Sequence, residues 1–348
     1  MNITEILRKM VITPSVSETS MDEIVALTVS ILDEMGIENR VVTGKEHSPV
    51  IIATYGKAGV CFSGHLDTVP LGEGWTRKQG EVVGDKMYGR GTLDMKGPCV
   101  SMLATAERLL QEEIPFSLIF TTDEEVSMNG ALAVAHESEV VDAPAVVICE
   151  PTGMLVVNEE KGVYQFKIIT KGVNAHASMP EKGDNAVVKI LPILEKLNSK
   201  GNVPAGSHEI SCCVNVIRGG QATNVIPAEC VAEVDVRFPG RFLSMDSIRS
   251  FIFEDVQEEH DYQLIQYLDS VSVNPDAQCI KTMLDVADST LWAVPYGTEM
   301  VRFAKTNPNT FIFGPGRVDV AHKPDEWIEL SELEKVVDIY VEYAKRML

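Results

Sequence analysis

The sequence predicts an α/β fold, a mostly parallel sheet covered by helices, with a small α+β domain of ferredoxin-like pattern inserted into it. Three observations carry that prediction. Short β-branched runs alternate with helical spacing through the first part of the chain. The grammar changes at Val163 to β-α-β-β-α-β, and a further strand with a histidine-bearing segment follows that insert. At 348 residues the chain exceeds what one hydrophobic core usually serves, so two domains are expected: residues 1–162 with 276–348, and the inserted 163–275.

Taken in order, Asn2 is placed to cap a first helix, with Glu5 three residues on and Ile6, Leu7 and Met10 forming its apolar face. Helical spacing over 24–34 yields to strands at 50–55 and 60–62, then to a helix over 98–112. Strands at 116–121 and 145–148 flank a helical stretch at 132–136. In the insert, strand 164–170, helix 185–197, strands 209–218 and 229–238, helix 245–256 and strand 263–273 succeed one another. Strand 310–313 and a closing helix over 332–347 return to the first domain.

Composition narrows the function. A formal net charge of -21 argues against a nucleic-acid surface, which needs clustered Lys and Arg without a comparable acidic excess. The seven cysteines are odd in number and contain no Cys-x-x-Cys, so neither a disulfide framework nor a thiolate metal site is expected, and a reducing cytoplasm fits. The N-terminus lacks a signal peptide's apolar run, and no stretch approaches the roughly 20 residues of a spanning helix.

The candidate ligands fall just beyond strand ends, where open α/β sheets place their sites. His65 and Asp67 stand two apart in SGHLDTVP, so Asp67 could fix the ring's tautomer while the other nitrogen binds metal; a loop histidine beside a capping aspartate is the plainer reading. Asp94 sits in YGRGTLDMKGP, where glycines permit tight turns about one acidic side chain; a dinucleotide loop would need its third glycine where Asp94 stands. Glu124 and Glu125 follow a buried strand in TTDEEVSMNG, and adjacent carboxylates can divide the roles of metal ligand and general base, although an acidic helix start accounts for the pair equally well. Glu150, in VICEPTG, reads as ligand or loop cap. His176 lies in the insert and could join the others only across a domain or subunit boundary, whereas His47, His136, His208 and His260 carry no expected role.

Together SGHLDTVP, GRGTLDMKG, TTDEE, CEPTG, the His176 segment, TNVIPAE and GPGRVDVAHKPDEWI resemble the family of acetylornithine deacetylases, succinyl-diaminopimelate desuccinylases, aminoacylases and glutamate carboxypeptidases. The resemblance implies two divalent ions, zinc with cobalt or manganese as alternatives. His65, Asp94 and Glu150 would hold one ion, and Asp94, Glu125 and His322 the other, with Asp94 bridging. It implies further that Asp67 orients His65 and that Glu124 is the general base. His176 would reach an oxyanion across a homodimer built by the inserted lid domain, Asn224 and Arg237 would line the pocket, and the Asp94-Met95 peptide would be cis. The reaction implied is amide hydrolysis of an N-acyl amino acid. N-acetylornithine, in arginine biosynthesis, looks closest, ahead of N-succinyl-diaminopimelate and of dipeptides. A binding protein that kept the fold without catalysis is the reading from another class, and it would be expected to have lost a ligand or the base.

Overall fold

Uninterrupted runs of β-branched and aromatic residues suit strands covered on both faces. Val60–His65 and Phe116–Thr121 are covered on both faces in this way, with small Ser and Gly among the apolar residues: every position is buried, and they pair in parallel from Val60 opposite Phe116 to His65 opposite Thr121. The computed structural model, which describes residues 1–44, 48–201, 209–242 and 244–348, builds its main sheet around them. His47 and His208 lie outside the described residues.

The sheet runs in the order Glu38–Thr43, Pro49–Tyr55, Phe116–Thr121, Val60–His65, Val146–Ile148, Thr310–Ile312, then Val156–Glu160. The four strands from Phe116–Thr121 to Thr310–Ile312 are mutually parallel, and those beyond them pair antiparallel. The centre is thus the parallel α/β sheet expected, with antiparallel margins. Glu38–Thr43 escapes sequence reading because it is an edge strand, mostly exposed and without apolar alternation.

Helix Ile3–Ile12 is capped as its sequence suggests, the Asn2 side chain accepting the Glu5 amide at 3.0 Å. It packs with Lys96–Gln111 and Leu330–Arg346. Lys96–Gln111 starts two residues after Asp94 and is buried from Lys96 to Ala106, because small residues let its backbone approach its neighbours. At Gly97 an added Cβ would stand 2.2 Å from the Thr92 carbonyl oxygen. The buried Lys96 ammonium is satisfied by the carbonyls of Met10 and Thr13, at 3.0 and 2.9 Å. A small sheet joins Glu81–Val83, Lys86–Tyr88 and Trp327–Glu329, so the segment that follows His322 is paired with the one that precedes Asp94.

The chain divides into two units. Met1–Asn158, Val273–Trp292 and Thr298–Leu348 form the first; Glu159–Ser272 and Ala293–Gly297 form the second. In the second, an antiparallel sheet of order Ser211–Gly219, Glu229–Phe238, Gly162–Lys171, Asp261–Leu268 is accompanied by helices Ala186–Ser199 and Met245–Phe253, which completes β-α-β-β-α-β. Strict alternation along Glu229–Phe238 turns Val234, Val236 and Phe238 toward a core shared with Tyr164, Phe166, Ile190 and Ile248. Residues 293–297 join this unit, where the Lys161 amide donates to the Val294 carbonyl at 3.1 Å; sequence spacing alone counts them with the first. Val271 and Ser272 lie opposite Glu160 and Glu159, pairing the unit's exit with its entry. Among the described residues no helix is long and apolar enough to cross a membrane.

Candidate metal centre

The ends of three parallel strands bring the acidic and imidazole groups of the first unit together. His65 is the last residue of its strand, 1% exposed, the strand running three residues beyond the end at 62 that the sequence suggests. Its Nδ1 donates to the Asp67 backbone carbonyl at 2.9 Å and lies 3.3 Å from the Asp67 carboxylate. A carbonyl can only accept, so Nδ1 carries a proton, and Nε2 is the nitrogen that faces the carboxylates and would bind a cation on giving up its own proton. Around that nitrogen stand Asp94 Oδ1 at 3.0 Å, Glu150 Oε1 at 3.4 Å and Glu124 Oε2 at 4.0 Å.

Asp94 turns its second oxygen to the other histidine. Its Oδ2 is 3.1 Å from His322 Nε2, which is also 3.0 Å from Glu125 Oε1. Two groups bring their ligating atoms within 4.8 Å of one another: His65 with Glu124 and Glu150, and His65 with Asp94 and Glu125. Glu124 thus lies inside one possible ligand set, whereas the sequence resemblance makes it the base. The Asp94-Met95 peptide is cis. His322 is half exposed and has a left-handed backbone, φ 60°, uncommon for a residue with a side chain.

The turn bearing Glu124 and Glu125 is held from two sides. Asp67 Oδ1 and Oδ2 accept the amides of Glu124 and Glu125 at 3.2 and 3.3 Å, and Oδ2 also accepts from Ser17 Oγ at 2.7 Å. On the far side Asp123 accepts from Ser127 Oγ and from the amides of Asn129 and Gly130 at 2.6 to 2.9 Å. Asp67 therefore touches both the His65 ring and the backbone of the two glutamates.

Charge crowding sets the proton affinities. Burial and the negative charge of Asp94 push the Glu150 carboxyl up to about 7. Burial likewise raises Glu124 well above the usual carboxylate range, with Glu150 and Glu125 adding to it and only His65 opposing. Burial alone would lower the His65 ring, but Glu150, Asp67 and Asp94 outweigh it and raise it. Hydrogen bonds to Asp94 and Glu125 lift His322 to about 10. Among the described residues no Lys or Arg forms an ion pair with Asp94, Glu124, Glu125 or Glu150. A buried anionic cluster faced by imidazoles and by no Lys or Arg is a place for cations.

Sequence reasoning passed over two buried acids here. Glu326, fully buried, accepts the amides of Leu93 and Asp94 and pairs with Arg90; its burial, with the charge of Asp94, raises it to about 7. Glu299, 1% exposed, is pushed to about 8 by burial, with Asp123 and Glu150 contributing. The available signal was an acid directly before an apolar strand in PDEWI, and an acid inside the apolar surroundings of GTEMVRF.

Three further candidates lie in the second unit. His176 is exposed, and its Nδ1 accepts the Ser178 amide at 3.2 Å, so in the neutral ring the proton is on Nε2. Its short strand pairs with Val225–Ile226, and the Ala177 amide donates to the Asn224 carbonyl at 2.9 Å, which sets His176 and Asn224 side by side. Arg237 directs Nε and Nη2 at the Asp235 carboxylate, at 2.8 and 3.1 Å, so a substrate carboxylate would have to displace Asp235 to reach its fork.

Known proteins agree with this architecture. The sequence profile of peptidase family M20/M25/M40 matches residues 61–346. An acetylornithine deacetylase of Photorhabdus laumondii is 30% identical over 94% of this chain and 92% of its own. A probable succinyl-diaminopimelate desuccinylase of Staphylococcus aureus is 28% identical over 91% of each. Among solved structures, an M20 family metallo-carboxypeptidase from Sulfolobus solfataricus superposes with a TM-score of 0.79 at 17% identity, covering 100% of this chain and 99% of that one. With the profile matched from the strand that ends in His65 almost to the C-terminus, the chain belongs to peptidase family M20/M25/M40.

Proposed function

We propose that this metallohydrolase holds two divalent ions and cleaves the amide bond of N-acyl amino acids, N-acetylornithine foremost. The observation that carries the reading is Asp94, whose two oxygens face the two histidines at 3.0 and 3.1 Å. The donor set is imidazole and carboxylate without thiolate, which zinc, cobalt and manganese all accept. Divalent ions held by His65, Asp94 and Glu150, and by Asp94, Glu125 and His322, would polarise the scissile carbonyl and make water nucleophilic at neutral pH.

The remaining steps belong to side chains. Glu124, on a turn fastened by Asp67, takes the proton from the attacking water and delivers it to the departing amine. His176 offers its Nε2 proton to the oxyanion, and in the homodimer we propose it serves the neighbouring subunit's site. Asn224, adjacent to His176, lines the same pocket. Seven free cysteines, six of them buried, favour a reducing cytoplasm.

Acetyl is placed ahead of succinyl, whose second carboxylate would have to draw one of three arginines from its present partner. Arg218 faces Glu233 at 3.6 Å, Arg317 faces Asp319 at 3.1 Å, and Arg302 donates to the Ser127 carbonyl at 3.3 Å. The deciding assay is acetate release from N-acetyl-L-ornithine by zinc- or cobalt-loaded protein, beside succinate release from N-succinyl-diaminopimelate and a chelated control. Chelator-sensitive acetate release in clear excess is expected; succinate release in excess would transfer the assignment, and turnover of neither would leave dipeptides to be tried.

The trans arrangement has its own check. His176→Ala should lower kcat by on the order of 10²-fold with metal content unchanged, as loss of one oxyanion donor does. Mixed with an inactive metal-ligand variant after verified subunit exchange, it should regain activity; no recovery at any ratio would place His176 outside the partner's site.

A further inference from the structure

Glu326 has more bonds to the metal-binding loops than a buried ion pair requires. Oε1 accepts two consecutive amides, Leu93 at 3.0 Å and Asp94 at 3.2 Å, while Oε2 pairs with Arg90. Its own carbonyl accepts the Gly89 amide at 2.9 Å, extending the pairing of Trp327–Glu329 with Lys86–Tyr88. One residue therefore binds the backbone of the GRGTLD segment at both ends, and the chain position four before it is His322.

His322 itself has little else to locate it. Its side chain is half exposed, and among the described residues its ring pairs with Asp94 and Glu125. The next two residues, Lys323 and Pro324, are exposed. The loop regains purchase at Asp325, whose carboxylate accepts the Thr76 and Arg77 amides at 2.8 and 2.9 Å, and at Glu326. The distance between the second oxygen of Asp94 and the His322 ring is thus set through Glu326, which grips the amide of one residue and continues the chain of the other.

We propose that Glu326 is a positioning residue that fixes Asp94 relative to His322 and so governs the affinity of the ion held by Asp94, Glu125 and His322. The inference rests on the dinuclear reading above. Partners of this outer kind alter metal affinity by about 10–100-fold when lost. The effect should be unequal: His65 and Glu150 stand on other strands, so the ion they share keeps most of its hold.

Zinc titration of the apoprotein by calorimetry tests this in wild type, Glu326→Ala and Glu326→Gln. Wild type is expected to take up two ions. Glu326→Ala should weaken one of them by about 10–100-fold and leave the other nearly unchanged; Glu326→Gln, which keeps a carbonyl acceptor for the two amides and folds more readily, should fall between. A purely structural role would lower the melting temperature and depress both affinities together. Two ions bound with unaltered relative affinity in the glutamine variant, or in both variants, would overturn the inference while sparing the dinuclear reading. A single ion in wild type would overturn both.

Discussion

Glu124→Gln is expected to lower kcat on the order of 10³-fold while two ions stay bound. The amide nearly matches the carboxylate in shape, and the turn is held by the Glu124 and Glu125 backbone amides on Asp67, so substitution leaves the local fold intact. What is lost is the capacity to accept a proton from water and return it to nitrogen. Steady-state rates with metal analysis of the same sample check it. The metal measurement discriminates because Glu124 Oε2 is 4.0 Å from His65 Nε2, inside one of the two candidate ligand sets. Loss of an ion along with activity would make Glu124 a ligand; retained turnover would remove it as the base.

Asp94→Ala should go further and weaken both ions by more than ~100-fold, beyond what loss of an outer-shell partner costs. Every other ligand in the proposed scheme serves one ion, whereas Asp94 directs Oδ1 to His65 and Oδ2 to His322. Its removal also leaves the two rings, both raised in proton affinity by their carboxylate neighbours, without their common partner. Dialysed protein is expected to retain neither ion and to show no measurable hydrolysis. If one ion remains at wild-type affinity, the bridge is the part of the scheme that fails.

Much of the fold can be read in the residue pattern because its central strands lie in apolar runs bounded by turns. The second unit is legible for the same reason: Glu229–Phe238 alternates strictly between buried and less buried positions. Three-residue strands such as Lys86–Tyr88 and Trp327–Glu329 leave no periodicity to detect, yet they pair the chain around Asp94 with the chain beyond His322. The acids and histidines singled out in the first unit do meet in space, from His65 to His322. Strand-end placement gives a reason for His65, Glu124, Glu125 and Glu150. Nothing in spacing alone brings in His322, which the ordered set of motifs supplied. Glu326 was passed over for a different reason: PDEWI shows an acid before an apolar strand, but bonds to backbone amides follow from no side-chain motif.

The pairing of Glu159 and Glu160 with Ser272 and Val271 means that the chain leaves for the second unit and comes back on adjacent strands, about 5 Å apart. A long excursion that ends beside its origin can be lengthened, exchanged or shortened without displacing the residues at its base, because closure entropy grows only with the logarithm of loop length. Host and guest are then separable in evolution. The His and carboxylate cluster stays with the host, and a new guest can be grafted at the hydrogen-bonded neck, with residues 293–297 replaced alongside it, without a ligand having to move.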